Sequence, residues 1–265
     1  MEVELLEQNK KEGKLKFLLT KSTPSYANTL RRMMIAEVPV MAIEDIEFRA
    51  NNSVLYDEMV ALRLGLIPFT TDLKAYNLPK KCSCQGAGCA RCQLKMTLKA
   101  EGPKTVYSGD IKTKDPKVKS VFDKIPIVKL LEGQSLEFEA TAILGQGKEH
   151  AKWVGGHVFY QNMPVIKITK QPQDAEKIAK ACPKNVFEVK SGKLSVKDGK
   201  DMTCDLCEAC VSIDKESIEV KADETQFIFT MESWGQLSPK EMLEKALEEF
   251  DEKLEQFKTL LKEEN

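Results

Sequence analysis

The sequence predicts an α+β protein, on three observations. Short runs with period-two alternation recur between glycine turns, from Leu15-Phe17-Leu19 near the start to Phe227-Phe229-Met231 near the end. One long helical pattern occupies the C-terminal region from Ser238 onward. Between them, all eight cysteines fall into two sets of four, each spaced like the ligands of a metal or cluster site.

The elements follow in order. Residues 3–20 read as two short strands around a turn at Gly13. A helix then starts: Ser22 or Thr23 can cap it, and Pro24 sits where a first turn tolerates proline. Tyr26, Leu30, Met33 and Met34 mark its apolar face, with Asn28, Thr29, Arg31 and Arg32 largely off it, and Pro39 ends it. Ile43, Ile46 and Phe48 lead into strand-like sequence. Asp57 and Glu58 are read as strand neighbours whose side chains point apart, which leaves them unable to act as an acid/base pair. Residues 72–104 hold the first cysteine set in a loop rich in Lys, Gly and Gln. Residues 130–170 are expected to be mainly β, with turns at Gly133, Gly145, Gly147, Gly155 and Gly156, and residues 171–221 form a small polar unit around the second cysteine set.

The C-terminal helix has the clearest signature. Ser238-Pro239-Lys240-Glu241 is a capping box with proline at the first helical position. Leu243, Leu247, Phe250, Leu254, Phe257 and Leu261 then follow alternating steps of four and three, an a/d seam. Fully burying one such side chain contributes roughly 1.5–3 kcal/mol, so the stripe calls for a cover. That cover is either the chain's own domain or another subunit.

Composition narrows the function classes. The chain has 265 residues, 42% hydrophobic and 31% charged, with a net charge of -1 from 40 basic and 41 acidic side chains. Such a balance opposes nucleic-acid binding driven by the chain's own charge. No apolar run approaches the ~20 residues of a membrane span. The start, Met1-Glu2-Val3-Glu4, does not read as a signal peptide, so a cytoplasmic address is expected. In that compartment clustered cysteines read as metal ligands before disulfides.

The second cysteine set is Cys182-Pro183 followed by Cys204-x2-Cys207-x2-Cys210. Bacterial two-cluster ferredoxins repeat C-x2-C-x2-C-x3-C-P, and the fourth cysteine of each run ligates the other cluster. Here the second run ends on Asp214 instead of cysteine. The first run keeps only Cys182, with Pro172, Ala175 and Ile178 at its other positions. The survivors are the four ligands of one cubane, and the losses all belong to the other. One [4Fe-4S] cluster on Cys182, Cys204, Cys207 and Cys210 is the expectation, with a zinc site on the same ligands or a disulfide arrangement as alternatives. A single cluster weakens the electron-relay reading and sets a structural or redox-sensing role at least level with it.

The first set, Cys82-x-Cys84-x4-Cys89-x2-Cys92, fits a tetrahedral zinc. Gly86 and Gly88 let the backbone turn, and Lys80, Lys81 and Arg91 are placed to offset thiolate charge. A metal-free or disulfide-bearing loop and a second cluster are the alternatives. No water-activating carboxylate accompanies these cysteines. The two histidines, His150 and His157, lack a nucleophile motif, and no glycine-rich phosphate loop exists. His150-Ala151-Lys152-Trp153 reads as a structural turn, and Arg31 with Arg32 as a contact to a protein partner.

Longer blocks carry a resemblance. Ala27-Asn28-Thr29-Leu30-Arg31-Arg32, Val38-Pro39, Ala42-Ile43-Glu44, and Asp57-Glu58 through Arg63-Leu64-Gly65-Leu66-Ile67-Pro68 closely resemble the assembly subunits of RNA polymerase. These comprise bacterial alpha, the third-largest subunit of eukaryotic polymerase II and their archaeal counterpart. Gly147 through Trp153 and Glu232-Ser233-Trp234-Gly235 fit the same family. The likeness spans nearly the whole chain, and the inserted ferredoxin-like unit points to the archaeal form.

The resemblance implies a discontinuous alpha-type dimerisation domain from residues 1–45 and 222–265. It implies an inserted, mainly β domain over 46–165 with the cysteine loop at 82–92, and a small ferredoxin-like iron–sulfur domain over 166–221. It implies heterodimerisation with the small subunit L, pairing through Leu243, Leu247, Phe250, Leu254 and Phe257. Arg31 and Arg32 would face the large catalytic subunits, and further small subunits would join. The cysteines at 82–92 match the zinc loop of the eukaryotic relative. DNA would be met only through the assembled polymerase, and this subunit would not itself be an enzyme. The rival reading is an iron–sulfur electron-transfer subunit of a redox complex.

Overall fold

The computed structural model describes residues 1–263, so the last two residues of the expected 222–265 segment lie outside the described residues. Strands β1 (Glu2–Asn9) and β2 (Lys14–Thr20) precede helix α1 (Pro24–Ala36), strand β3 (Pro39–Asn51) and helix α2 (Asp57–Gly65). Strands β4 (Gln93–Glu101), β5 (Lys104–Tyr107), β6 (Lys112–Thr113), β7 (Pro126–Leu130), β8 (Ser135–Gln146) and β9 (Gly156–Ile168) follow. Helix α3 (Ala175–Ala181), strands β10 (Phe187–Lys190), β11 (Lys193–Val196) and β12 (Ile218–Ser233), and helix α4 (Pro239–Glu263) complete the order. None of the helices among the described residues is long and apolar enough to cross a membrane.

Contacts divide the chain into two compact units. The first comprises Met1–Gln8, Lys16–Thr29 and Phe159–Thr230. Most of a four-stranded sheet ordered β1-β2-β12-β9 lies there, as does the β10-β11 hairpin. Phe17 stacks on Phe229 with centroids 5.0 Å apart, and Tyr160 meets Phe227 edge-on at 5.6 Å. Phe227, Phe229 and Met231 are buried as the alternation suggests, but Ile228 between them is buried too, so β12 is covered on both faces there. A second, small core gathers Ala175, Ile178, Val186, Phe187, Leu194, Ile218 and Val220 around Cys210. So the segment read as a polar unit owns a modest apolar centre.

The second unit comprises Asn9–Leu15, Leu30–Val158 and the chain from Met231 onward. Its main sheet runs β3-β8-β4-β6, with a two-stranded β5-β7 sheet beside it. Central strand β8 pairs on both sides: Phe138 lies opposite Phe48 of β3 and Leu98 of β4. Five β8 residues (Leu136, Phe138, Ala140, Ala142 and Leu144) join Met96, Leu98, Val60, Leu64 and Phe69 in one continuous core.

The structure corrects three readings. Asp57 and Glu58 open helix α2 instead of continuing a strand, and two acids in a first turn complement the helix dipole. The Asp57 carboxylate accepts the Asn51 side-chain amide at 2.7 Å. Gly145 lies inside β8 rather than in a turn, because a β-carbon there would collide with the Trp153 ring. Gly156 is the first residue of β9, with the Glu232 carbonyl pressed against the place its β-carbon would take. His150–Trp153 forms a tight turn as expected: the Lys152 amide donates to His150 Nδ1 at 3.0 Å.

Candidate metal centres and subunit surface

The first cysteine set sits between a short 3-10 turn (Pro79–Lys81) and β4. Gln85, Gly86 and Gly88 adopt positive φ (53°, 85° and 87°), which folds the span between Cys84 and Cys89 back on itself. The Cys92 amide donates to the Cys89 carbonyl at 2.9 Å, and the Cys89 amide donates to Cys92 Sγ at 3.2 Å. This is the knuckle that C-x2-C spacing produces.

The four sulfurs converge on one point. Cys82 to Cys89 is 3.6 Å, Cys84 to Cys92 is 3.5 Å and Cys89 to Cys92 is 3.9 Å. All four lie within 4.8 Å of one another. A tetrahedron with metal–sulfur bonds of about 2.3 Å has edges of about 3.8 Å, so the spacing fits a single thiolate-bound ion. The sulfurs are not bonded to each other. Cys82 and Cys92 are buried, while Cys84 and Cys89 are half-buried. Hydrogen bonds from Cys82 and Cys92 pull the Cys84 thiol down to about 6. Burial pushes Cys92 up to about 12. Four thiols this close cannot all lose their protons without a cation among them.

Lys80 and Lys81 do not face the thiolates. Lys80 pairs with Glu149 at 2.5 Å, and Lys81 reaches Glu252 at 2.5 Å and Glu249 at 3.1 Å on α4. The expectation that they offset sulfur charge gives way to carboxylates that approach from distant sequence.

The second set lies in the first unit. Cys182 caps the C-terminal end of α3, and Cys204 follows a 3-10 turn at Asp201–Thr203. Cys207 is exposed, and Cys210 is buried in the small core. Among the described residues only the first set brings its ligand atoms within 4.8 Å of one another, so the structure does not gather Cys182, Cys204, Cys207 and Cys210 as tightly. Burial pushes Cys204 and Cys210 up, against backbone amide bonds from Leu206 and Val211. The Val186 amide donates to Cys182 Sγ at 3.4 Å. Leu206 (φ 59°) and Glu208 (φ 56°) hold left-handed conformations on either side of Cys207. Such strain in non-glycine residues gathers at ligand clamps.

Helix α4 begins as read: Ser238 Oγ accepts the Glu241 amide at 3.3 Å, and the Glu241 carboxylate accepts the Ser238 amide at 2.9 Å. Its inner face is Met242, Ala246 and Glu249, exposed by only 1%, 0% and 4%. The seam is distributed differently. Leu243 and Phe250 are half-buried, while Leu247, Leu254 and Phe257 are exposed by 38%, 42% and 60%. Arg31 is half-buried and Arg32 exposed on α1. A further apolar surface escaped the sequence reading: Tyr56, at the N-cap, and Met59, Leu62 and Leu66 line the outer side of α2, opposite buried Val60 and Leu64. Apolar residues on both sides of a nine-residue helix were the available signal.

The comparisons decide the family. A profile described as the RNA polymerase Rpb3/RpoA insert domain matches residues 42–155. The DNA-directed RNA polymerase subunit Rpo3 of Archaeoglobus fulgidus is 40% identical over 263 residues, covering 99% of this chain and 98% of that protein. This chain belongs to the Rpo3 family. The Rpo3 of Methanosarcina acetivorans is 39% identical with 98% of each chain covered. The Rpo3 of Pyrococcus furiosus is 37% identical, covering 97% of this chain and 95% of the other. The Rpo3 likeness therefore spans the segments that carry both cysteine sets and α4.

Proposed function

We propose that the chain is the non-catalytic assembly subunit of an archaeal DNA-directed RNA polymerase. The observation that carries the reading is α4: its inner side is buried against its own unit, while the apolar stripe through Leu247, Leu254 and Phe257 faces outward. That stripe, edged by Leu243 and Phe250, is the docking face for the smaller subunit L. Residues 1–45 and 222–265 act as the dimerisation domain, 46–165 as the insert and 166–221 as the iron–sulfur module. Arg31 and Arg32 on α1 lie toward the large catalytic subunits, and the complex works in the cytoplasm, meeting DNA only when assembled.

Two inorganic centres complete the proposal. Cys82, Cys84, Cys89 and Cys92 hold one zinc ion, supported by sulfur separations that match a tetrahedral thiolate site. Cys182, Cys204, Cys207 and Cys210 hold one [4Fe-4S] cluster. Backbone amides aimed at Cys182, Cys204 and Cys210 support it, since such donors stabilise thiolate ligands. The cluster's role is structural or redox-sensing: it ties α3 to a loop more than twenty residues later around a small core.

The test is anaerobic co-expression with the small subunit, then iron, sulfide and zinc analysis of the purified pair. The expected result is four iron, four sulfide and one zinc per pair. Leu247→Asp is expected to abolish co-purification and leave the cluster chromophore intact. Retained co-purification sinks the docking assignment.

A further inference from the structure

The metal loop and the pairing helix are joined by a charge network that neither the spacing of the cysteines nor the heptad seam requires. Lys81 immediately precedes Cys82, and its ammonium reaches Glu252 at 2.5 Å and Glu249 at 3.1 Å, 171 and 168 residues away in sequence. Lys245 closes the network at 3.2 Å from Glu249. The backbone that carries Lys81 is itself fixed, since its amide donates to the Leu78 carbonyl at 2.9 Å in the turn that leads into the first cysteine. Glu249 is almost fully buried, so its charge requires a partner.

We propose that Lys81 is a positioning residue that latches α4 to the metal loop, coupling zinc binding at Cys82–Cys92 to the seating of the helix and so to partner docking. The inference rests on the zinc and pairing assignments above. Zinc fixes the loop, and the fixed loop presents Lys81 where the two carboxylates meet it. Without the ion the loop gains conformational freedom, and holding Lys81 in place then costs ordering entropy. Coupling of this kind is reciprocal: whatever factor zinc adds to seating of the helix, seating adds to zinc affinity.

The experiment uses the full-length chain and zinc itself. Zinc affinity is measured by competition with a chromophoric chelator for the native chain, Glu249→Gln, Glu252→Gln and Lys258→Gln. Lys258 pairs with Glu255 on the same helix, away from the latch. The helix substitutions at 249 and 252 are expected to weaken zinc roughly tenfold, within the usual range of coupling between sites. Lys258→Gln is expected to change nothing. In parallel, amide exchange over residues 242–253 is followed with and without zinc. Zinc removal is expected to speed exchange in the native chain, to have little effect in Lys81→Met, and to act normally in Lys81→Arg.

Equal zinc affinity across all four chains, or exchange in α4 indifferent to zinc, overturns the latch. A native chain whose helix responds to zinc but which never binds the small subunit removes the pairing assignment and keeps the latch. Pairing that proceeds with a helix blind to zinc does the reverse.

Discussion

The apolar stripe on α4 has a magnitude that can be worked out. Leu254 and Phe257 project 42% and 60% of their surface into solvent from a helix whose inner side is already covered. Full burial of such side chains is worth roughly 1.5–3 kcal/mol each, and the exposed share is what a partner can still cover. The two together then offer about 2.5 kcal/mol, and at a factor of ten per 1.4 kcal/mol the double variant Leu254→Ala/Phe257→Ala should bind the small subunit about 60-fold more weakly. The same change should move the denaturation midpoint of the isolated chain very little, because surface truncations generally stay within ~0.5 kcal/mol. Titration of the small subunit onto labelled chain gives the first quantity and denaturant unfolding the second. Loss of chain stability without loss of pairing refutes the reasoning, since it means the stripe serves its own unit.

Other consequences are checked one at a time. Gly145→Ala should destabilise the second unit by about 1–3 kcal/mol, read as a lower unfolding midpoint, because the new carbon collides with the Trp153 ring. Met242→Ala should cost about 2–5 kcal/mol in chain stability, as it removes a buried side chain from the inner face of α4. Cys84→Ser should abolish zinc retention and leave iron content unchanged, whereas Cys210→Ser should do the opposite, by metal analysis of each variant. Glu37 is raised by burial but lowered further by Lys148 and Lys253, so its folded pKa lies below the ordinary carboxylate value. Its contribution is present above that ordinary value, near pH 4, and is lost as pH falls through the folded one. Stability of Glu37→Gln should therefore decline less steeply below about pH 4 than that of the native chain.

What the sequence disclosed was whatever short-range chemistry determines. The capping box at Ser238 and Glu241, the proline entry of α1 and the first cysteine set depend on residues close in the chain, and each was legible. The knuckle at Cys89–Cys92 follows from its spacing alone. Helix α2 was not legible, because a helix apolar both at Val60 and Leu64 and at Met59 and Leu62 lacks the contrast that reveals a 3.6 period. Gly145 was misread because glycine marks either a turn or a close approach, and only the position of Trp153 tells which. Lys81 was assigned to the nearest charges in sequence, the thiolates, when its partners were two carboxylates on the last helix.

Helix α4 shows why the apolar seam and the chain's own packing had to differ. A helix of this kind carries one continuous apolar stripe, and here it runs through Leu247, Leu254 and Phe257 on the open side. Met242 and Ala246 are its fully buried apolar contacts on the inner side, with Leu243 and Phe250 half-buried beside them. Charge supplies the rest. Lys81 and Lys245 hold Glu249 on one turn, and Lys253 meets Glu37 at 2.7 Å on the next. Ion pairs fix register without adding apolar surface that would compete with the stripe for the same core. The helix is thereby seated by Met242, Ala246 and these ion pairs together, while Leu247, Leu254 and Phe257 stay exposed, which is the arrangement a subunit needs if it must fold alone and still bind a partner tightly.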